Sequence, residues 1–262
     1  MSGKIAIQLY SLRREMAKDP VETLKKLREI GYTCVEAAGL YGYSADYIKG
    51  VCDTLGIEIV SDHIHWPGLA DERDSMIDVL KTLGCSYVAV PWLGEDELPG
   101  GKSFSDFVKF FTEAGRDLKE QGIQLLFHNH ANEFKKVNGD FALDVLYNSV
   151  DPQYLKAQID IGWATYMGVD ALALIRRYRG RLPIIHLKDF VYGETENSDD
   201  KAPMVSCPVG SGELDLENIV KEALEGGCEI FVVEEDEPYG GKDSFACAAI
   251  SLKNLKNALN IK

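Results

Sequence analysis

The 262-residue chain lacks several features that would place it in a specialised class of protein. No stretch approaches the roughly 18–20 consecutive apolar residues of a membrane-spanning helix, so we expect no membrane partner. Its six cysteines include no Cys-x-x-Cys pair. Most lie in apolar surroundings, which predicts reduced, buried thiols rather than disulfides or a cysteine zinc site. The first residues do not resemble a signal peptide, and we therefore expect a cytoplasmic protein.

Positive charge is scarce relative to negative charge. Lysine and arginine number 28 against 42 aspartates and glutamates, and the formal net charge is −14. Phosphate backbones repel such a surface, and nucleic-acid binding normally needs a basic patch. The balance therefore favours a small-molecule substrate, such as a sugar, over nucleic acid. The sequence leaves the oligomeric state open, with a homo-oligomer as one outcome.

Short apolar runs alternate with helical patterns along the whole chain. Eight runs rich in Val, Ile and Leu each precede a segment with helical spacing, and Gly31, Gly84 and Gly122 end three of those helices. Such runs are typical of strands that are covered on both faces. Eight strand–helix units in about 250 residues predict a (β/α)8 TIM barrel. We expect it to form a single domain over residues 1–262, and a doubly wound open sheet is the structural alternative.

Histidine is rare, and its placement is informative. All five histidines lie at or just beyond the end of an apolar run: His63, His65, His128, His130 and His186. Because alternate side chains of a strand share a face, His128 and His130 point the same way. The active site of a TIM barrel lies at the carboxyl ends of its strands, and these histidines fall there.

Carboxylates at the same strand ends complete a predicted metal site. The predicted ligands of one divalent metal ion are His128, Asp160, His186 and Glu235. Imidazole together with carboxylate suits Mn²⁺, Zn²⁺, Co²⁺ or Fe²⁺, with Mg²⁺ less favoured. Only one of Glu234 and Glu235 can face inward, because neighbours in a strand point in opposite directions.

Taken together, the strand ends resemble the sugar phosphate isomerase/epimerase family, the xylose isomerase-like barrels. The stretches that carry the resemblance are 7–13, 127–134, 160–163, 180–181 with 185–189, 209–213 and 233–236. The resemblance implies a divalent metal held by strands five to eight. It carries the family's aspartate onto Asp160, its histidine onto His186 and its last glutamate onto Glu235. The family's first metal-binding glutamate falls at His128, and His128, His130 and Glu133 are alternatives for that corner.

The resemblance implies an isomerase or epimerase that acts on a sugar or keto-sugar through an enediolate. In this hypothesis Glu235 is the general base, and Glu133, His130 and Lys188 are further catalytic candidates. The predicted substrate-binding residues are Gln8, Tyr10, Glu36, His63, His65 and Trp92. The histidine at position 128 replaces one glutamate of the family's two-glutamate proton shuttle, so either Glu133 or a histidine would serve as one of the two bases. A metal-dependent lyase or deglycosidase acting on 3-keto-glycosides is therefore the alternative. An apurinic endonuclease of the same fold is disfavoured by the net charge.

Overall fold

The computed structural model describes residues 3–194 and 202–260. Eight parallel strands close into a barrel, and at least one helix follows each of them before the next barrel strand begins. The barrel strands are β1 Lys4–Gln8, β2 Cys34–Ala37, β3 Glu58–His63, β4 Tyr87–Val90, β5 Gln124–His128, β6 Leu155–Asp160, β7 Ile184–Leu187 and β8 Ile230–Val233. Strand β8 pairs with β1, from Lys4 beside Ile230 to Ile7 beside Val233, and so closes the barrel. The predicted (β/α)8 barrel is confirmed, and the open sheet is excluded.

The helices surround the barrel and connect its strands. Those of the described residues are α1 Arg13–Lys18, α2 Pro20–Ile30, α3 Ala45–Leu55, α4 Trp66–Asp71, α5 Arg73–Leu83, α6 Phe104–Glu120, α7 Ala142–Ser149, α8 Ile161–Tyr166, α9 Ala171–Arg177, α10 Leu216–Glu225 and α11 Ser244–Ala258. Two antiparallel strand pairs, Lys136–Val137 with Asp140–Phe141 and Asp189–Tyr192 with Met204–Cys207, follow β5 and β7. Within residues 3–194 and 202–260, no helix is both long enough and apolar enough to cross a membrane.

Helix α2 shows how the sequence sets these elements. Asp19 caps its start by accepting a hydrogen bond from the backbone N–H of Glu22, and proline occupies its first turn, a position that tolerates the missing N–H. Leu24 and Leu27 lie on one face of the helix and are fully buried. Gly31 ends the helix with φ 116°, a conformation that glycine adopts at little cost.

A small apolar cluster inside the barrel sets the floor of the functional site. It consists of strand residues alone: Ala6, Cys34, Val60, Ala89, Leu126, Ile184, Ile230 and Val232. Since alternate residues of a strand share a face, the residue two positions beyond Leu126, Ile184 and Val232 also faces the interior. Those positions hold His128, His186 and Glu234. The period of the strands therefore builds a polar layer directly above an apolar floor.

Candidate metal centre

Four buried side chains from consecutive strands meet at the carboxyl-terminal mouth of the barrel. They are His128 on β5, Asp160 on β6, His186 on β7 and Glu234 just after β8. Each offers one ligand atom that lies within 4.8 Å of the others. His186 Nδ1 lies 2.9 Å from Glu234 Oε2, and His128 Nε2 lies 3.9 Å from Asp160 Oδ2. Two imidazoles with two carboxylates form a donor set suited to Zn²⁺, Mn²⁺ or Co²⁺.

Two buried polar atoms in this cluster lack a hydrogen-bond partner, and they show whether the cluster can accommodate a cation. Among the described residues, Asp160 Oδ2 and His128 Nδ1 are buried without a hydrogen-bond partner. Buried polar atoms are normally paired, and an unpaired one costs free energy. A divalent cation placed among the four side chains would satisfy the carboxylate oxygen of Asp160. The residues present therefore fit such an ion.

The structure corrects the choice between the two neighbouring glutamates. Glu234 continues the inward-facing series of β8 after Val232, whereas Glu235 points the opposite way, toward the helical layer. There its backbone N–H donates to Ser11 Oγ at 3.0 Å, and burial raises the pKa of its carboxyl to about 7. Placing Glu235 in the metal cluster is therefore wrong, because alternation along β8 turns its side chain away.

Glu36 lies fully buried beside the cluster and does not line the cavity above it. Its carboxylate accepts hydrogen bonds from Gln8 Nε2 at 2.8 Å, from Gln158 Nε2 at 2.7 Å and from the Ser61 hydroxyl. His186 Nε2 lies 2.5 Å from Glu36 Oε1. A carboxylate on the second ring nitrogen is a usual orienting partner of a metal-binding histidine. Gln8 and Glu36, which sequence analysis assigned to substrate binding, are thus placed to position other side chains.

Burial and neighbouring charges shift the pKa values of the side chains in this cluster, some upward and one downward. Although burial opposes it, the carboxylates of Glu36 and Glu234 raise the pKa of His186 to about 10. Burial, together with the neighbouring His186, holds the pKa of His128 well below its usual value. Burial also raises the pKa of Asp160 to about 7, against the opposing charge of Lys188. Because metal ligands bind in their deprotonated forms, protons and a cation compete for this cluster.

Lys188 is the permanent cation of the site. Its ammonium group is buried, 3.0 Å from Asp236 Oδ1, 3.6 Å from Glu234 Oε1 and 3.8 Å from Asp160 Oδ2. Burial works against its charge, but these carboxylates raise the pKa of Lys188 above its usual value. The segment after β6 lies very close to the backbone of Lys188. A Cβ at Gly162 would be 1.8 Å from the Lys188 carbonyl oxygen. Only glycine permits that approach.

A cavity of about 830 Å³ opens above the cluster. The predicted site residues that line it are Tyr10, His63, His65, Trp92, His128 and His130. Burial lowers the pKa of His130 to about 4, so its imidazole is neutral near pH 7. Glu133 lies outside this lining. Its buried carboxylate accepts a hydrogen bond from the backbone N–H of His130 at 2.8 Å, so it holds the loop after β5 in place. The structure does not bring Glu133 to the cluster.

Sequence reasoning did not assign Gln158 and Asp236, which the structure brings into the site. Gln158 donates to Glu36, and its Oε1 lies 2.7 Å from His63 Nε2. Asp236 pairs with Lys188 and lines the cavity. Gln158 precedes Asp160 by two positions, so strand alternation was a signal that could have revealed it. Asp236 lies two positions beyond Glu234, so the same alternation, continued past the end of β8, was its signal.

The chain is similar in sequence to a known protein family and to several named proteins. A family model described as the xylose isomerase-like TIM barrel matches residues 24–255. An inosose dehydratase from Geobacillus kaustophilus (strain HTA426) is 26% identical over 192 residues, which cover 64% of this chain and 61% of that protein. The rhizopine catabolism protein MocC from Rhizobium meliloti is 25% identical over 272 residues, covering 90% of this chain and 82% of that protein. The chain thus spans less than two thirds of the dehydratase's length.

Solved structures share the architecture over nearly the whole chain. A sugar phosphate isomerase/epimerase from Parabacteroides distasonis ATCC 8503 matches with a TM-score of 0.83 at 24% identity, covering 100% of this chain and 96% of that one. The IolI protein, solved with a bound zinc atom, matches with a TM-score of 0.75 at 18% identity and covers 98% of each chain. At these identities the likeness shows the fold.

Proposed function

The chain belongs to the xylose isomerase-like TIM barrel family, and from this premise we propose that it is a metal-dependent lyase. In the proposed reaction it removes water from a keto-sugar or a keto-cyclitol by β-elimination. The cluster of His128, Asp160, His186 and Glu234 under an open cavity carries the proposal. The zinc in the similar IolI structure supports a divalent metal.

Both the contents of the site and the relatives support this reaction class. Isomerisation and dehydration both begin when a base removes the proton from the carbon beside a carbonyl. An isomerase returns a proton, whereas a dehydratase expels the hydroxyl group at the next carbon. The strand-five corner of the cluster is His128, so a pair of metal-bound glutamates on either side of the substrate carbon is not available. The inosose dehydratases among the relatives support elimination over the isomerisation that sequence analysis favoured.

A divalent cation held by the four side chains would act as a Lewis acid and polarise the substrate carbonyl. The chain's own residues supply the remaining groups. His130 lines the cavity as a neutral imidazole and is placed to accept the proton from the carbon. His63 lines the same cavity, with Nε2 3.0 Å from Glu36 Oε1, and is placed to give a proton to the departing hydroxyl. The buried ammonium of Lys188 would stabilise the negative charge that develops on the substrate when the proton is removed.

The test is incubation of the Mn²⁺-loaded protein with an inosose in deuterated water, followed by proton NMR. We expect loss of the hydroxyl group β to the carbonyl and the appearance of an unsaturated product. The Glu234→Gln variant is the control, because it retains the cavity but lacks one carboxylate of the cluster. Deuterium exchange at the carbon beside the carbonyl, with an epimer and no unsaturated product, would support the isomerase instead.

A further inference from the structure

The cavity above the metal cluster has two chemically different halves. The metal cluster comes from β5 to β8, on one side of the closed barrel. The ends of β2, β3 and β4 and helix α5 form the opposite side. The apolar residues that line this side are Ala38, Leu40, Ile64, Met76, Val79, Pro91 and Trp92. Asp62, His63 and His65, at and just beyond the end of β3, are the polar residues on this side.

Aromatic side chains bracket this apolar half. Tyr10 follows β1, and Trp92 follows β4. The two residues are 45% and 49% exposed, and both line the cavity. Exposed aromatic rings at the rim of a concave site are typical of ligand-binding surfaces, because each offers a flat apolar face at a small entropic cost.

The wall of the apolar half is held in place without a ligand. The backbone N–H of Gly39 donates to Asp62 Oδ1 at 3.1 Å, and the Tyr41 hydroxyl donates to the Leu9 carbonyl at 3.2 Å. Both bonds tie the loop after β2 to the barrel. Leu40 lies between these two anchors and packs partly against the core. The apolar half is therefore preformed, and a preformed surface loses little entropy on binding.

The charges of the residues that line the cavity disfavour a phosphate substituent. No lysine or arginine is among the described residues that line the cavity. The carboxylate on the apolar side is Asp62, which repels a phosphate, whereas Glu234 and Asp236 lie on the side of the metal cluster. A phosphate bound in the apolar half would therefore find no lysine or arginine among the described lining residues.

We propose that the substrate carries a flat apolar substituent, such as an aryl group linked through a glycosidic oxygen, which lies between Tyr10 and Trp92. The sugar or cyclitol ring then faces the metal cluster. This orientation of the ring rests on the proposed function, whereas the apolar half binds its substituent without the metal. The site would thus prefer an aryl glycoside to a free or phosphorylated sugar.

Calorimetric titration of the full chain with three probes tests this inference. The probes are phenyl β-glucoside, methyl β-glucoside and glucose 6-phosphate, each titrated with Mn²⁺ and again with excess EDTA. We expect the phenyl glycoside to bind about tenfold more tightly than the methyl glycoside in both conditions. Trp92→Ala removes this preference. Tyr47→Ala is the matched control, because Tyr47 is 46% exposed and lies outside the cavity.

Each outcome separates this inference from the proposed function. A phenyl preference in EDTA without any dehydratase activity would support the apolar subsite and overturn the lyase. Equal affinity for the phenyl and methyl glycosides, tighter binding of glucose 6-phosphate, or no binding of either glycoside at millimolar concentration would each overturn the subsite. Those three results would leave dehydration of an unsubstituted inosose as an independent observation.

Discussion

Replacing Glu234 with glutamine is expected to lower the affinity for a divalent metal by at least about 100-fold, since loss of an outer-shell partner alone costs about 10–100-fold. The substitution removes one of the two carboxylates in the cluster and leaves a neutral amide in its place. It also removes the negative charge 2.9 Å from His186 Nδ1 and leaves at most a neutral amide oxygen as acceptor there. Competition between the protein and a chromogenic chelator for Zn²⁺ measures the change.

Glu235→Gln provides a matched control at the next position of the chain. The Glu235 side chain lies outside the cluster, near Ser11 and Ser244. Its pKa is raised to about 7 by burial, so a neutral amide is well tolerated there. We expect unchanged metal affinity in this variant and a parallel loss of turnover only in Glu234→Gln. The opposite pattern, with affinity lost in Glu235→Gln and kept in Glu234→Gln, would contradict the assignment of the ligand.

Replacing Asp189 with alanine is expected to destabilise the fold by about 3 kcal/mol or more, since each buried donor left without a partner costs about 1–3 kcal/mol. Asp189 is fully buried, and its carboxylate accepts four backbone hydrogen bonds. The donors are the N–H groups of Phe190 at 2.8 Å, Gly210 at 2.8 Å, Gly212 at 3.0 Å and Leu214 at 3.1 Å. One side chain thus organises the whole loop that leads into α10.

Chemical denaturation measures the loss of unfolding free energy in Asp189→Ala, and Asp170→Ala is the control. Asp170 is an exposed cap of α9 and accepts one backbone hydrogen bond, from Ala173 at 2.9 Å. Removing such a cap costs about 1 kcal/mol. Asp189→Asn keeps one acceptor oxygen and should fall between the two alanine variants. Equal destabilisation by Asp189→Ala and Asp170→Ala would show that the loop does not depend on Asp189.

The barrel was predictable because its signals are local and repeated. Apolar runs gave all eight strands, and glycines such as Gly31 and Gly84 marked the helix ends that the structure shows. The extra elements were harder. Helix α4 and the strands of the antiparallel pairs after β5 and β7 are too short to show a clear periodic pattern.

The site was only partly predictable, because it depends on which face a strand presents. His128, Asp160 and His186 were assigned to the cluster from strand ends and resemblance, and the structure brings all three together. Glu235 was chosen over Glu234 because the resemblance placed the family's last glutamate there. Counting alternate positions from Val232 would have selected Glu234, since it shares the inward face of β8. The buried role of Glu36 depends on contacts between distant strands and is not written in any local pattern.

The most direct measurement is anomalous diffraction from crystals of the protein soaked in Zn²⁺. We predict one strong peak at the mouth of the barrel, with ligand distances of about 2.0–2.2 Å to His128, Asp160, His186 and Glu234. The described residues also contain a second group of three histidines, His63, His128 and His186, that could hold an ion. A peak bound to His63 and not to Asp160 or Glu234, a peak at Glu235, or no peak in the barrel would contradict the proposed metal centre.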